Sequence, residues 1–359
     1  MKNRAFHEMK KRFVTAAKTQ RKPILGHFEL TSRCNLDCKM CYVHTMDNAT
    51  AMRTELSTEQ WKRIFDEAYN CEMLYATLSG GECLLRQDFK ELYLHLWNKK
   101  VMITVMTNGT MLNEDYVEFF KTYPPELIRI SLYGSSEEGY LSLTGHKGFE
   151  RATAAVEALM AAGIDVNVVT TPSRYMTDDY IRTVKMCKER AYDLLITDVT
   201  LIPNRDNPEK DDYFLTTDET FELVKERAEV LGRMRAPVEA PEPFGGMCEP
   251  PRTGLTCNAG NCLAVVTAEG RMYPCANGII GEGPSLLEMS YAEAWEKTKA
   301  VADGIVLPVE CVGCPYDKTC PKCPFHRLQD LTSGHCRTEV CELNKRLVAA
   351  GVKKLIPVE

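Results

Sequence analysis

The chain has 359 residues and a mass of 40.6 kDa, enough for one large core or two domains with a small third module. At 44% hydrophobic and 26% charged it has the composition of a soluble globular protein, and no apolar run approaches the roughly 18 residues a membrane span needs. The net charge of −6 is spread without a basic stripe, which argues against nucleic acid as the main partner; Met1 to Gln20 lacks an export signal's apolar stretch, so a cytoplasmic location is expected.

From Pro23 to about Leu201 one unit repeats, a short apolar strand followed by an amphipathic helix. The predicted strands are Leu25 to Leu30, Met73 to Leu78, Val101 to Thr107, Leu127 to Leu132, Ile164 to Thr170 and Leu194 to Leu201. Between the first two, Ser57 with Gln60 three residues on reads as a capping box, and Trp61, Ile64, Phe65 and Ala68 form one helical face. Gly148 to Ala162 reads as a helix stopped at Gly163; Thr177 to Ala191 and Thr217 to Leu231 repeat the pattern. Alternation of this kind implies a parallel sheet with right-handed crossovers. Six units fall short of the closed eight-stranded barrel. The expected fold is therefore α/β, a partial (β/α)6 barrel over residues 23–234, after an N-terminal extension of residues 1–22.

At Arg235 the texture changes. Five prolines and two glycines between Arg235 and Pro251 mark residues 235–247 as a linker. From Cys248 to Cys341 lie ten of the 16 cysteines, many turn residues and little periodicity. Residues 248–345 are expected to form a small domain held by metal rather than by an apolar core, followed by a tail over 346–359 with a closing helix from Val340 to Val352.

Sixteen cysteines with no export signal point to metal rather than to disulfides. Cys34, Cys38 and Cys41 stand within eight residues at the end of the first strand. A structural zinc site takes four ligands. Three thiolates on a cubane iron–sulfur cluster leave one iron open, and loops beyond the C-terminal ends of parallel strands are where such folds place their chemistry.

This three-then-two spacing is the signature of the radical S-adenosylmethionine (SAM) enzymes, and residues 25–201 resemble that family. The resemblance implies a [4Fe-4S] cluster on Cys34, Cys38 and Cys41 whose open iron binds the amino and carboxylate groups of SAM. Its reduction then releases a 5'-deoxyadenosyl radical. Further cofactor contacts are implied for Met40 at the adenine and for Gly80, Gly81 and Glu82 at the methionine amino group. Asn108 lies where the family often has a polar residue near the ribose, and Ser131 where a serine contacts the ribose or carboxylate. A tight turn at Asn108-Gly109 and a satisfied strand-end hydroxyl at Ser131 are the plainer readings. Cys83 stands where the family usually has proline.

The C-terminal block resembles the SPASM extension of peptide-modifying members of the family, which carries two auxiliary [4Fe-4S] clusters. Carried over by position, the first would use Cys257, Cys262, Cys275 and Cys323, and the second Cys311, Cys314, Cys320 and Cys341. The gap between Cys320 and Cys323 is shorter than usual, and Cys248 and Cys336 are extra, so either could displace Cys262 or Cys341. The implied activity is hydrogen abstraction from a ribosomally made precursor peptide, giving a thioether or carbon–carbon crosslink. An external electron donor is implied as a partner; with only about 22 residues before the first strand, the leader peptide would be held by the barrel itself, by the Arg205 to Thr216 loop or by a separate peptide-recognition protein. Rival readings are a peptide epimerase with Cys83 or Cys336 as hydrogen donor, a radical dehydrogenase of an alcohol or sugar, and a zinc-stabilised binding module.

Overall fold

Along the predicted strands large apolar residues occupy every second position, and that alternation decides which face of the sheet the helices cover. The computed structural model describes residues 4–43, 46–195, 214–242, 253–279, 281–306, 314–316, 319–320, 323 and 338–355. Strands β1 (Leu25–Glu29), β2 (Tyr75–Ser79), β3 (Met102–Thr107), β4 (Leu127–Ser131), β5 (Val166–Val169) and β6 (Leu194–Leu195) lie side by side, all parallel. Helices α3 (Thr58–Asn70), α4 (Phe89–Asn98), α5 (Glu114–Thr122), α6 (Glu137–Thr144), α7 (Phe149–Ala161), α8 (Thr177–Glu189) and α9 (Thr217–Val230) alternate with them. This is the partial barrel the sequence predicts. The predicted sixth strand, Leu194 to Leu201, continues into positions outside the described residues.

Two strands join the sheet from the cysteine-rich region. Strand β7 (Leu263–Val266) pairs parallel with β1, and β8 (Met272–Tyr273) pairs antiparallel with β7. The order is β6-β5-β4-β3-β2-β1-β7-β8. This pairing extends the sheet past its first strand.

The outer face of the sheet holds the main core. Phe28, Leu78, Val105, Ile128, Ile130, Val168 and Val266 are buried with Trp61, Phe65, Leu92, Phe120 and Val156 of the helices. Phe28 meets Trp61 and Phe65 edge-on at 6.0 and 5.0 Å between ring centroids. Such burial contributes about 1.5–3 kcal/mol per large side chain. The capping box forms at Ser57 and Gln60, and others start α9 at Thr216 and Glu219 and α10 (Tyr291–Gly304) at Ser290 and Glu293.

By the same alternation His27, Glu29, Thr77, Ser79, Thr104, Arg129, Ser131 and Asn167 face the concave side, a lining far more polar than the outer core. Helix α1 (Arg4–Gln20) covers the floor of this cavity. Its Val14 and Ala17 pack with Leu25, Tyr75 and Met102 at the starts of β1, β2 and β3, and Lys10 reaches Glu126 at 2.5 Å. The last helix, α11 (Thr338–Ala349), lies against α9, with Arg346 bonded to Asp218 at 2.6 Å and stacked 4.2 Å from the Phe221 centroid. Helix α10 joins α3 and the end of α1: the Tyr291 N–H donates to Glu67 and the Trp295 indole N–H to the Arg21 carbonyl.

Candidate active site

The chain leaving β1 is fixed before it reaches the cysteines. The Leu30 N–H donates to the Ser79 carbonyl at 2.8 Å, and the buried Arg86 guanidinium donates to the carbonyls of Leu30 and Leu56 at 3.0 Å while Asp88 holds it from the other side. The loop after β2 then runs alongside: Gly81 N–H donates to the Thr31 carbonyl and Glu82 N–H to the Arg33 carbonyl, each at 2.8 Å. This contact requires glycine. A Cβ on Gly80, whose φ is +135°, would lie 2.2 Å from the Thr31 carbonyl oxygen, and one on Gly81 2.4 Å from that of Arg33. In the structure, what these glycines admit is the backbone that leads to Cys34.

The cysteine loop is anchored on three sides. Asn48, the first residue of α2 (Asn48–Thr54), accepts from the Cys34 N–H at 3.0 Å and donates to its carbonyl at 2.9 Å. Asp37 and Lys39 N–H groups donate to the carbonyls of Thr144 and Leu143 at the end of α6. Asn35 bonds Asn108 at 2.9 Å and Thr110 at 2.8 Å. The Cys34 sulfur accepts from the Leu36 N–H at 3.4 Å and faces the Asn108 amide at 3.9 Å.

Burial pushes the Cys34 thiol up to about 12, with Glu82 and Cys41 adding to the shift. Burial likewise raises Cys38 well above the ordinary thiol range, with Cys41, Cys34 and Asp37 adding to the shift. The three thiols therefore lie within one another's fields. Among the described residues, no three His, Cys, Asp or Glu side chains converge at metal-holding distance. The donor set nevertheless fits a cationic cluster: three neighbouring thiols, costly to ionise together without positive charge, with an N–H already directed at one sulfur.

Glu82 lies wholly inside. Its carboxylate accepts from the Thr107 hydroxyl at 2.8 Å, the Asn108 N–H at 2.7 Å and the Leu84 N–H at 3.0 Å, against a burial that raises its pKa. It locks the loop after β2 to the end of β3. Asn108 continues the network, its Oδ1 accepting from the Thr110 N–H and hydroxyl, with the Thr107-Asn108-Gly109 turn closed at a Gly109 φ of +78°. Ser131 ends β4 on the concave side beside Val169. Met40 is buried in a satellite core with Leu143, Met176, Tyr180 and Leu223 rather than standing clear in the loop. Cys83 is fully buried, its thiol donating to the Met106 carbonyl at 3.3 Å, which seats it in the main core.

Asn35, Asn48, Thr107 and Thr110 belong to the site and sequence reasoning missed them; Thr107 and Thr110 flank the Asn108-Gly109 turn. Tyr133 also sits beside the cysteine loop, its hydroxyl raised by burial and by the neighbouring Cys38.

In the second cysteine region two sets are distinct. Cys275 is pushed up to about 12 by burial and by Cys323 and Cys257, so these three are neighbours; the Asn277 amide faces the Cys323 sulfur at 3.7 Å. Cys314 and Cys320 pack around Tyr316 and Val348 of the closing segment, where Asn344 of α11 donates to the Cys320 sulfur at 3.5 Å; Cys341 is one turn earlier on α11. Cys262 stands apart in packing. It is fully buried among Ala17, Ile24 and Tyr75, its carbonyl accepting from the Leu25 N–H, though Cys257 is near enough to raise its pKa. Cys248, Cys311 and Cys336 lie outside the described residues.

Residues 28–187 match the model of the radical SAM superfamily, and all three loop cysteines and the β2, β3 and β4 end loops lie inside that span. That stretch is a radical SAM domain. Relatives of this chain include an AdoMet-dependent heme synthase of Methanosarcina barkeri, 27% identical over 327 residues, 84% of this chain and 91% of the relative. The PqqA peptide cyclase of Ruegeria pomeroyi is 31% identical over 171 residues, but the match spans only 44% of that protein. Among solved structures, Streptococcus suis SuiB bound to its precursor peptide SuiA superposes with a TM-score of 0.65 at 16% identity, covering 95% of this chain and 82% of SuiB. Native anSMEcpe with bound AdoMet and a peptide gives 0.66 at 18%, covering 90% and 96%. At these identities the likeness is one of fold, and the radical SAM domain is followed by a cysteine-rich region. Among the described residues no helix is long and apolar enough to cross a membrane.

Proposed function

We propose that this enzyme cleaves SAM reductively and uses the 5'-deoxyadenosyl radical to take a hydrogen atom from a ribosomally made peptide, ending in a thioether or carbon–carbon crosslink. The observation that carries the reading is the three-cysteine loop held by the end loops of β2 and β3 at the mouth of an open barrel. Fold likeness to peptide-bound SuiB and anSMEcpe supports the substrate class. Cys34, Cys38 and Cys41 would hold a [4Fe-4S] cluster, which when bound and reduced supplies the electron for cleaving the sulfonium. Asn48, Asn35 and Asn108 hold the loop's shape, and Glu82 holds Asn108. Gly80, Gly81, Ser131 and Met40 are the residues of this chain proposed to border SAM. Cys257, Cys275 and Cys323 are proposed for one auxiliary cluster, and Cys311, Cys314, Cys320 and Cys341 for another. An external reductant, a separate peptide-recognition protein and a cytoplasmic setting belong to the same proposal.

Cys262 is assigned to packing instead of to iron, on the strength of its place between α1 and β1. Cys262→Ala is expected to leave the iron content unchanged and to cost about 1 kcal/mol of stability. Loss of iron in that variant, measured by colorimetric assay with the visible spectrum, would return Cys262 to the ligand set.

A second reading, modification of a tetrapyrrole, is favoured by one observation, the match to the heme synthase over 91% of its length. Mass spectrometry separates the two. The anaerobic enzyme with SAM, dithionite and a candidate peptide, taken from any short reading frame beside its gene, should remove two hydrogen atoms per crosslink from the peptide. Consumption of a porphyrin with the peptide unchanged would replace the first reading by the second.

A further inference from the structure

Ile128 and Ile130 are buried under the helices, so the strand alternation turns Arg129, between them, into the barrel. The register sets it between Met106 of β3 and Asn167 of β5, one layer below Ser131. Its guanidinium makes no hydrogen bond and no ion pair with any described residue, and its Nε is sealed from solvent without a partner. Burial lowers its pKa, with Glu126 the one neighbour opposing the shift, and Glu126 is itself engaged by Lys10. Glu29, the carboxylate of the same layer, is three strands away, about 14 Å along the sheet. The other groups facing Arg129 from adjacent strands, Met106 and Asn167, carry no charge.

A half-buried guanidinium with no partner among the described residues is costly in its sealed part, because desolvation at Nε is not offset by a counterion. The fold does not need it there: α1 already closes the floor through Tyr75 and Met102. A planar fork of donors best matches a carboxylate. We propose that Arg129 receives a carboxylate of the substrate inside the barrel, about 7 Å below Ser131. This rests on the reading above for where the radical chemistry occurs. The carboxylate can come from a peptide, as an acidic side chain or C-terminus, or from a tetrapyrrole propionate.

Binding to the anaerobic, fully iron-loaded enzyme tests this without turnover. Two probe pairs are titrated calorimetrically: a short peptide with a central Asp against the same peptide with Asn, and protoporphyrin against its dimethyl ester. The wild type should favour the acid of one pair by about tenfold or more. R129M should lose that preference and R129K recover part of it. R129M should also melt roughly 2–4 °C higher, since it removes an uncompensated charge. Preference for the Asp peptide supports both the site and the peptide reading. Preference for the porphyrin diacid supports the site and overturns the peptide reading. No preference in either pair, a preference that survives in R129M, or a lower melting temperature in R129M overturns the site. A loss of SAM affinity in R129M with the probe preferences unchanged also overturns it, by assigning the guanidinium to the cofactor.

Discussion

Replacing Cys34, Cys38 and Cys41 together by Ala should abolish SAM cleavage and lower the iron content from about twelve atoms per chain to about eight. The three thiols share one loop and one another's fields, and the other cysteines proposed as ligands lie in the C-terminal region. The auxiliary sites would therefore keep their iron. Because each anchor of the loop is made by backbone or by Asn35 and Asn48, not by the thiols, the triple variant should still fold. Iron analysis and chromatography of 5'-deoxyadenosine measure both effects. Cleavage at the wild-type rate in the triple variant would remove the site from this loop.

Gly80→Ala is expected to be the most disruptive single methyl in the barrel. A φ of +135° costs a side-chain-bearing residue of order 1–3 kcal/mol, and the new Cβ would meet the Thr31 carbonyl oxygen at 2.2 Å, a backbone atom that cannot rotate away. Against a total stability of about 5–15 kcal/mol, the strand-end loops must part or the domain must unfold. If they part, Gly81 and Glu82 lose their bonds to Thr31 and Arg33, and the cysteine loop loses its wall. Gly163→Ala is the control: its φ is +75° but nothing lies within 4 Å of its Cβ, so only the backbone term of about 1–2 kcal/mol applies. Urea unfolding should rank the two far apart. Similar losses for both would mean that the contact at Thr31 relaxes freely.

The fold was legible because its signals are local. Strand–helix alternation, the Ser57 capping box and the spacing of Cys34, Cys38 and Cys41 are all readable within a dozen residues. What was not legible is long-range. Nothing near Val14 or Ala17 says that α1 covers the barrel floor, because its partners, Tyr75 and Met102, are more than fifty residues away. The β7–β8 hairpin turns at Gly270, and its pairing with β1 is decided only by which sheet edge is free. Glu82 is the instructive residue. A carboxylate after two glycines reads as a ligand for an ammonium, whereas the structure surrounds it with Thr107, Asn108 and Leu84, donors contributed by its own chain. Cys83 likewise has a motif position beside the site and a side chain that fills the core, a choice made by tertiary packing and invisible in spacing.

The central claim, that a radical formed at this mouth attacks a peptide, is tested most directly by following one hydrogen atom. The anaerobic enzyme is supplied with SAM, dithionite and a candidate peptide from a short reading frame beside its gene, synthesised with deuterium at its carbon positions. Mass spectrometry of the 5'-deoxyadenosine should then show deuterium carried over from the peptide. Abundant 5'-deoxyadenosine without deuterium, formed while the labelled peptide stays intact and a porphyrin is consumed, would contradict the claim.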